Sequence, residues 1–125
     1  MVDEIVAHAR AGFPNEVCGL IATQEDRAVR LYPIESLDPS PVHYHMEPKE
    51  QLRAITDIDD HDWELGGIYH SHTHTRAYPS ATDVKLAFYP DTAYLILSLA
   101  DDTRPDLKAF TIRGEEIEEV PLEVV

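Results

Sequence analysis

The sequence is poorest in cysteine, which occurs once in 125 residues, as Cys18. A lone thiol excludes an internal disulfide framework and any zinc site that is built from several cysteines. It also excludes the zinc deaminase pattern, which needs a Pro-Cys-x-x-Cys pair beside its His-x-Glu. Because the neighbours of Cys18 are apolar, we expect a small buried side chain rather than a reactive thiol.

Basic residues and long apolar runs are also scarce. Lys and Arg number 10 against 24 Asp and Glu, which gives a formal net charge of -14 and argues against nucleic acid as a partner. No apolar stretch approaches the roughly 20 residues of a membrane span, and Asp3 and Glu4 do not fit a secretory signal. We therefore expect a cytoplasmic protein with no membrane association. A salt-rich cytosol is one explanation of its acidity.

The residues that are present predict one α/β domain over residues 1–125. Helices are predicted near residues 1–13 and 48–60 and from Ser80 onward, and strands near residues 15–22, 28–34, 42–46, 64–69, 92–99, 107–112 and 117–120. In the second helix, Leu52, Ile55 and Ile58 form one apolar stripe. Strands outnumber helices, which is typical of a mixed sheet with helices packed against it.

A histidine-rich stretch, residues 70–83, follows the apolar run at residues 65–69 and leads into the third predicted helix. On a strand, His70 and His72 point to the same face, so that both rings can converge on one cation. Asp83 can return to the same point from the start of the following helix. Imidazole and carboxylate are ligands that zinc accepts, and three protein ligands leave a fourth position for water, as in catalytic zinc sites.

Asp83 also has a simpler interpretation, and so do two other residues that matter below, Glu16 and Ser80. Ser80 and Asp83 have the spacing of a helix capping box, with Asp where Glu or Gln is usual. Glu16, immediately before the first strand, is on its own typical of a strand-edge carboxylate in water. From spacing alone, the stretch is therefore either a zinc site or two histidines and a helix cap.

Three further histidines could also be considered as metal ligands. His43 and His45 form a second His-x-His pair, and we expect them to hydrogen-bond nearby groups, although they could also line a substrate cleft. His74 is expected to be a solvated loop residue, because a fourth protein ligand would displace the water.

The combined pattern resembles the JAMM (MPN-plus) zinc metallopeptidase family over nearly the whole chain. That family has a distant Glu, then His-x-His, seven residues, Ser, two residues and Asp. Here Glu16 is followed by His70-Ser71-His72, Thr73 to Pro79, Ser80, Ala81-Thr82 and Asp83. Glu16-Val17-Cys18-Gly19 is also similar to the Glu-x-Cys-Gly segment of the family.

The resemblance implies a fold and a set of residue roles. The fold is a compact α/β domain with a mixed, mostly antiparallel sheet flanked by helices, layered as in cytidine-deaminase-like folds. One zinc ion per chain would be held by His70, His72 and Asp83. Glu16 would act as the general base, and Ser80 would donate a hydrogen bond to the oxyanion of the tetrahedral intermediate.

Within the family, residues 69–87 are most similar to actinobacterial peptidases that act on ubiquitin-like sulfur-carrier proteins. Those enzymes hydrolyse the bond between the carrier's C-terminal glycine and an attached cysteine. Thr73 departs from the pattern, since many members have Pro there. The alternatives are an isopeptidase that deconjugates ubiquitin-like modifiers, a small-amide hydrolase with no protein partner, and a metal-free MPN scaffold. We expect the tail of a ubiquitin-like or sulfur-carrier protein as the partner.

Overall fold

This computed structural model describes residues 1–122. They contain six strands and three helices. The elements are α1 (Val2–Gly12), β1 (Cys18–Gln24), β2 (Arg27–Ile34), α2 (Pro48–Asp60), β3 (Glu64–His72), α3 (Ala81–Lys85), β4 (Ala93–Ser98), β5 (Asp106–Arg113) and β6 (Glu116–Val120). The strands form one sheet in the order β2-β1-β3-β4-β5-β6. Only β3 and β4 run parallel, and the other neighbours are antiparallel. The predicted α/β class and the mixed, mostly antiparallel sheet are confirmed.

Both faces of the sheet are covered, and each face has its own core. Alternate residues of a strand point to opposite faces, so β1 sends Leu20 to one face and Ile21 to the other. Helix α2 packs on the Leu20 face through Ala54 and Ile55, and α1 packs on the Ile21 face. β3 therefore lies between two buried layers, which explains why its second half is buried.

Helix α2 begins as predicted, with Pro48 at its first position and the Glu47 side chain accepting a hydrogen bond of 2.7 Å from the Glu50 N–H. The predicted apolar stripe is wrong at Leu52, which is 65% exposed. It is confirmed at Ile58, which is buried, and at Ile55, which packs against the core, and Ala54 is buried beside them. Ala54 and Ile58 lie four residues apart on one side of the helix, and this side, rather than the side of Leu52, faces the sheet.

The predicted strand at residues 42–46 is also wrong. The segment is a loop whose backbone forms one isolated β-bridge, between Ser36 and Met46. Its hydrogen bonds are local, as in the 2.7 Å bond from the Leu37 N–H to the His45 carbonyl and the 3.0 Å bond from the His45 N–H to Ser36 Oγ. Because Pro41, just before it, has no N–H, the chain could not continue a ladder at that residue.

Cys18 and Gly19 open β1 and pack tightly in the core. Cys18 is fully buried, and burial raises the pKa of its thiol to about 12, which confirms an unreactive buried residue. Gly19 faces the ring of Tyr69, where an added Cβ would overlap ring atoms. Glycine is therefore needed at this position because a side chain packs directly against its backbone. Among the described residues, no helix has the length and apolar character needed to cross a membrane.

Candidate metal centre

The carboxyl end of β3 delivers the two motif histidines to one face of the sheet. His70 pairs with Cys18 of β1 on one side and with Ile96 of β4 on the other, so it lies at the centre of the sheet. Both rings are buried, and His70 Nε2 lies 3.2 Å from His72 Nε2. The prediction that the two rings converge is confirmed in geometry.

The start of α3 brings Asp83 to the same point. Ser80 Oγ accepts a hydrogen bond of 3.1 Å from the Asp83 N–H, and Asp83 Oδ2 accepts one of 2.9 Å from the Ser80 N–H. The same Oδ2 atom lies 3.1 Å from His70 Nε2 and 2.9 Å from His72 Nε2. The cap and the ligand interpretations are therefore compatible, because the capping box fixes the orientation in which the carboxylate meets both rings.

These three atoms fit a small divalent cation. Ligands at about 2.0–2.1 Å from a tetrahedral zinc ion lie roughly 3.3 Å apart, close to the 2.9–3.2 Å between the three atoms. His72 Nδ1 lies 2.9 Å from the Arg76 carbonyl, to which it can only donate. That bond leaves the Nε2 lone pair of a neutral His72 directed at the cluster, as metal-binding histidines require. The Arg76 carbonyl was not foreseen from the sequence.

The electrostatics of these three groups favour a positive charge among them. Burial by itself would raise the pKa of the Asp83 carboxyl, but hydrogen bonds from His70 and His72 hold it well below its ordinary value. Burial would likewise lower the pKa of His72, whereas its bonds to Asp83 and to the Arg76 carbonyl raise it. Two lone pairs and a carboxylate at this distance repel one another unless a proton or a metal ion lies between them.

Glu16 lies beside this cluster because of the pairing between β1 and β3. Val17 and Ser71 extend the antiparallel pair, with a 3.0 Å bond from the Ser71 N–H to the Val17 carbonyl and a 2.9 Å bond from the Val17 N–H to Ser71 Oγ. The next residues outward, Glu16 and His72, therefore lie opposite each other on the same face. The simpler interpretation of Glu16, a strand-edge carboxylate in water, is wrong.

The Glu16 side chain is 5% exposed, and its Oε1 atom has no hydrogen-bond partner among the described residues. Burial raises its pKa to about 8; His72 lowers it and Asp83 raises it further. Burying a carboxyl group without a partner is costly. A group held in this state next to possible metal ligands is typical of a functional site.

The other histidines do not join the cluster. Within residues 1–122, the group of acidic, histidine or cysteine side chains able to hold a metal consists of His70, His72 and Asp83. His74 is exposed, as predicted, and lies 2.9 Å from Thr73 Oγ1. His43 pairs with Asp38 at 2.9 Å.

A cleft of about 320 Å³ opens from Asp83 and Thr82 along the loop at residues 43–46. His43 and His45 line it, as the sequence allowed, together with aromatic and aliphatic side chains that include Phe88 and Tyr94. Sequence reasoning missed Tyr44, whose ring lies 4.8 Å from that of His70 and covers one side of the cluster. Its position between the two histidines of the second His-x-His pair was the available signal.

Residues 1–113 match the family described as prokaryotic homologues of the JAB domain. The chain is 42% identical over 127 residues to the CysO-cysteine peptidase of Mycobacterium tuberculosis, covering 100% of this chain and 87% of that protein. It is 33% identical over 129 residues to the desampylase of Haloferax volcanii, covering 98% and 90%. A protein of Desulfitobacterium hafniense with a known solution structure superposes with a TM-score of 0.85 at 43% identity, covering 95% and 84%. The chain therefore belongs to the prokaryotic JAB-domain family, as its resemblance to the JAMM metallopeptidases predicted.

Proposed function

We propose that this protein is a zinc-dependent peptidase that hydrolyses the amide bond after the C-terminal glycine of a ubiquitin-like sulfur-carrier protein and releases cysteine. The observation that carries the proposal is the convergence of His70 Nε2, His72 Nε2 and Asp83 Oδ2 beside the buried Glu16. The relatives named CysO-cysteine peptidase and desampylase support a substrate of this class.

One zinc ion would be held by His70, His72 and Asp83; when bound, it supplies a Lewis acid that lowers the pKa of a coordinated water to roughly 7. Glu16 accepts a proton from the attacking water and returns it to the leaving amine. Burial by itself raises the pKa of the Glu16 carboxyl to about 8, which favours the protonated form. A cation beside it would lower this pKa and favour the base form for the first step.

Ser80 can stabilise the oxyanion while it caps α3. The cap uses Ser80 Oγ as an acceptor from the Asp83 N–H. A hydroxyl has one donor and two acceptor positions, so its O–H stays available to the substrate carbonyl oxygen. Ser80 can therefore cap α3 through an acceptor position of its hydroxyl and bind the oxyanion through the donor position.

The alternative functions make different demands on this site. A metal-free scaffold has no use for a buried, unpaired Glu16 carboxyl, whose burial lowers stability without any structural return. An isopeptidase for ubiquitin-like modifiers uses the same chemistry and differs in the leaving amine. A small-amide hydrolase needs no protein contacts beyond the cluster.

The proposed function is tested by incubating the zinc-loaded protein with candidate carriers that bear cysteine on their terminal glycine. We expect the mass of the carrier to fall by that of one cysteinyl residue, and chelation of zinc to stop the reaction. Cleavage of a small amide with no carrier processed would contradict the substrate class. Cleavage of a carrier–lysine isopeptide in preference to the cysteine adduct would favour the isopeptidase.

A Ser80→Gly variant separates the cap of α3 from the chemistry. Glycine is tolerated at a helix N-cap at a cost of only a few tenths of a kcal/mol. Loss of an oxyanion donor, by contrast, typically slows turnover about 10²–10³-fold. We therefore expect a stable, zinc-binding variant with turnover lowered by about that factor, measured by kcat on the adduct. Ser80→Thr, which keeps the hydroxyl, is the matched control, and a glycine variant with nearly wild-type kcat would remove Ser80 from the mechanism.

A further inference from the structure

The loop from Thr73 to Pro79 joins the second histidine of the cluster to Ser80 and carries an arginine at its centre. The backbone of Arg76 is held against the site, because its carbonyl accepts the hydrogen bond from His72 Nδ1 at 2.9 Å. The guanidinium therefore belongs to a residue whose main chain is fixed by a candidate metal ligand.

The side chain of Arg76 is also restrained. Its guanidinium carbon lies 4.7 Å from the centre of the Tyr78 ring, and that ring packs edge-on against the buried Phe110 at 5.5 Å between centroids. Stacking on an aromatic face leaves the N–H groups at the edge of the guanidinium plane available to a ligand. The arginine is thus held in place with its donors unused by the ring.

Among the described residues, no carboxylate lies within ion-pair distance of Arg76, although the chain carries an excess of acidic groups. Arg30 and Arg113 contact Asp57 and Asp91, and what distinguishes Arg76 from the other arginines without such a contact is its position beside the cluster. The cleft that opens from Asp83 is lined by neither lysine nor arginine. Arg76 is therefore a free, oriented cation on the loop between a candidate ligand and the candidate oxyanion donor.

We infer that Arg76 binds the α-carboxylate of the amino acid that the enzyme releases. The inference rests on the proposed function. When a single residue leaves, its carboxylate lies only one residue beyond the scissile bond, and consecutive Cα atoms are about 3.8 Å apart. In a chain of charge -14, a carboxylate binds poorly unless a local cation receives it.

Arginine suits this task because its planar fork binds a carboxylate through two parallel hydrogen bonds. The same contact distinguishes substrates. A lysine that leaves from an isopeptide bond presents a side-chain amine with no carboxylate at this distance. Arg76 thereby makes the protein selective for release of one C-terminal amino acid.

The test compares Arg76→Gln with the wild type on two substrates, the carrier–cysteine adduct and the same carrier ending in cysteinamide. We expect Arg76→Gln to lower kcat/KM for the acid about 10–100-fold, as the loss of a charged hydrogen-bonded contact does. The wild type should be slower on the amide, and Arg76→Gln should slow it no further. Arg76→Lys should restore part of the loss, whereas Lys85→Gln, which removes one exposed positive charge two residues from Asp83, should leave both substrates unaffected.

A binding measurement provides a readout that does not depend on turnover. In a Glu16→Gln background the adduct stays intact, so calorimetry should show that adding Arg76→Gln weakens binding of the acid but not of the amide. Equal effects of Arg76→Gln on both substrates would overturn the inference and leave the proposed function standing. If the wild type cleaves neither carrier substrate, the proposed function fails, and the inference with it.

Discussion

Glu16→Gln is expected to retain stoichiometric zinc and to lose turnover by about 10²–10⁴-fold, the typical contribution of a general base. Glutamine has the shape of glutamate but cannot accept a proton, so the cluster of His70, His72 and Asp83 stays intact. Among the described residues, the cluster itself contains one carboxylate, Asp83, and this is a candidate ligand, so it does not replace Glu16 as the base. Elemental analysis and kcat on the carrier–cysteine adduct measure the two quantities. Turnover within tenfold of the wild type would remove Glu16 as the base.

The stability of the metal-free protein checks that Glu16→Gln acts through the proton. A carboxyl whose pKa is raised from 4.5 to about 8 on folding stabilises the fold below pH 4.5, and this stability is lost as the pH rises toward 8. We expect the free energy of unfolding of the chelator-treated wild type to fall more steeply over this range than that of the variant, by about 1–3 kcal/mol in total. The pKa of His72 is also raised, in part by Glu16 itself, so His72 contributes less to this pH dependence in the variant, a difference of the same sign. Urea unfolding at several pH values gives the comparison, and parallel curves would show that Glu16 is not buried as a neutral acid.

His72→Ala is expected to lose both zinc and turnover. His72 Nε2 is at the centre of the cluster, within 3.2 Å of His70 Nε2 and of Asp83 Oδ2, and its ring is already oriented by the Arg76 carbonyl. Removing it leaves two protein ligands where a catalytic zinc site has three. Because a ligand that binds only the folded state raises stability, zinc should raise the melting temperature of the wild type but not of the variant.

His74→Ala provides the matched control for His72→Ala. It removes a histidine only two residues away, which is exposed and bonds to Thr73 rather than to the cluster. We expect it to retain zinc and turnover. Stoichiometric zinc in His72→Ala, or loss of zinc in His74→Ala, would contradict the ligand assignment.

Much of this protein could be predicted from short stretches of sequence. The alternating pattern of β3, the capping box at Ser80 and the start of α2 at Pro48 all depend on contacts within a few residues. For the same reason the strand and helix order was predicted correctly apart from residues 42–46. Two errors, that strand and the burial of Leu52, occur where packing between elements overrides local pattern.

The tertiary structure alone decided where the residues of the candidate site lie relative to one another. Glu16 and His72 are far apart in sequence, and they meet because β1 pairs with β3 in one antiparallel register. A slip of one residue would turn Cys18 and Leu20 away from their core, so burial of those side chains fixes where Glu16 lies. Likewise, only the packed loop places Tyr44 against His70.

The sequence by itself determined which ligand atoms were available and that His70 and His72 share a face, because strand geometry repeats every two residues. It also determined the local cap that orients Asp83. Only the tertiary structure decided that these atoms converge within hydrogen-bond distance, that Glu16 is buried beside them, and that Arg76 is held over Tyr78. The reason is physical: hydrogen bonding within a turn or cap is local, whereas burial and the pKa values that follow from it depend on which distant residues exclude water.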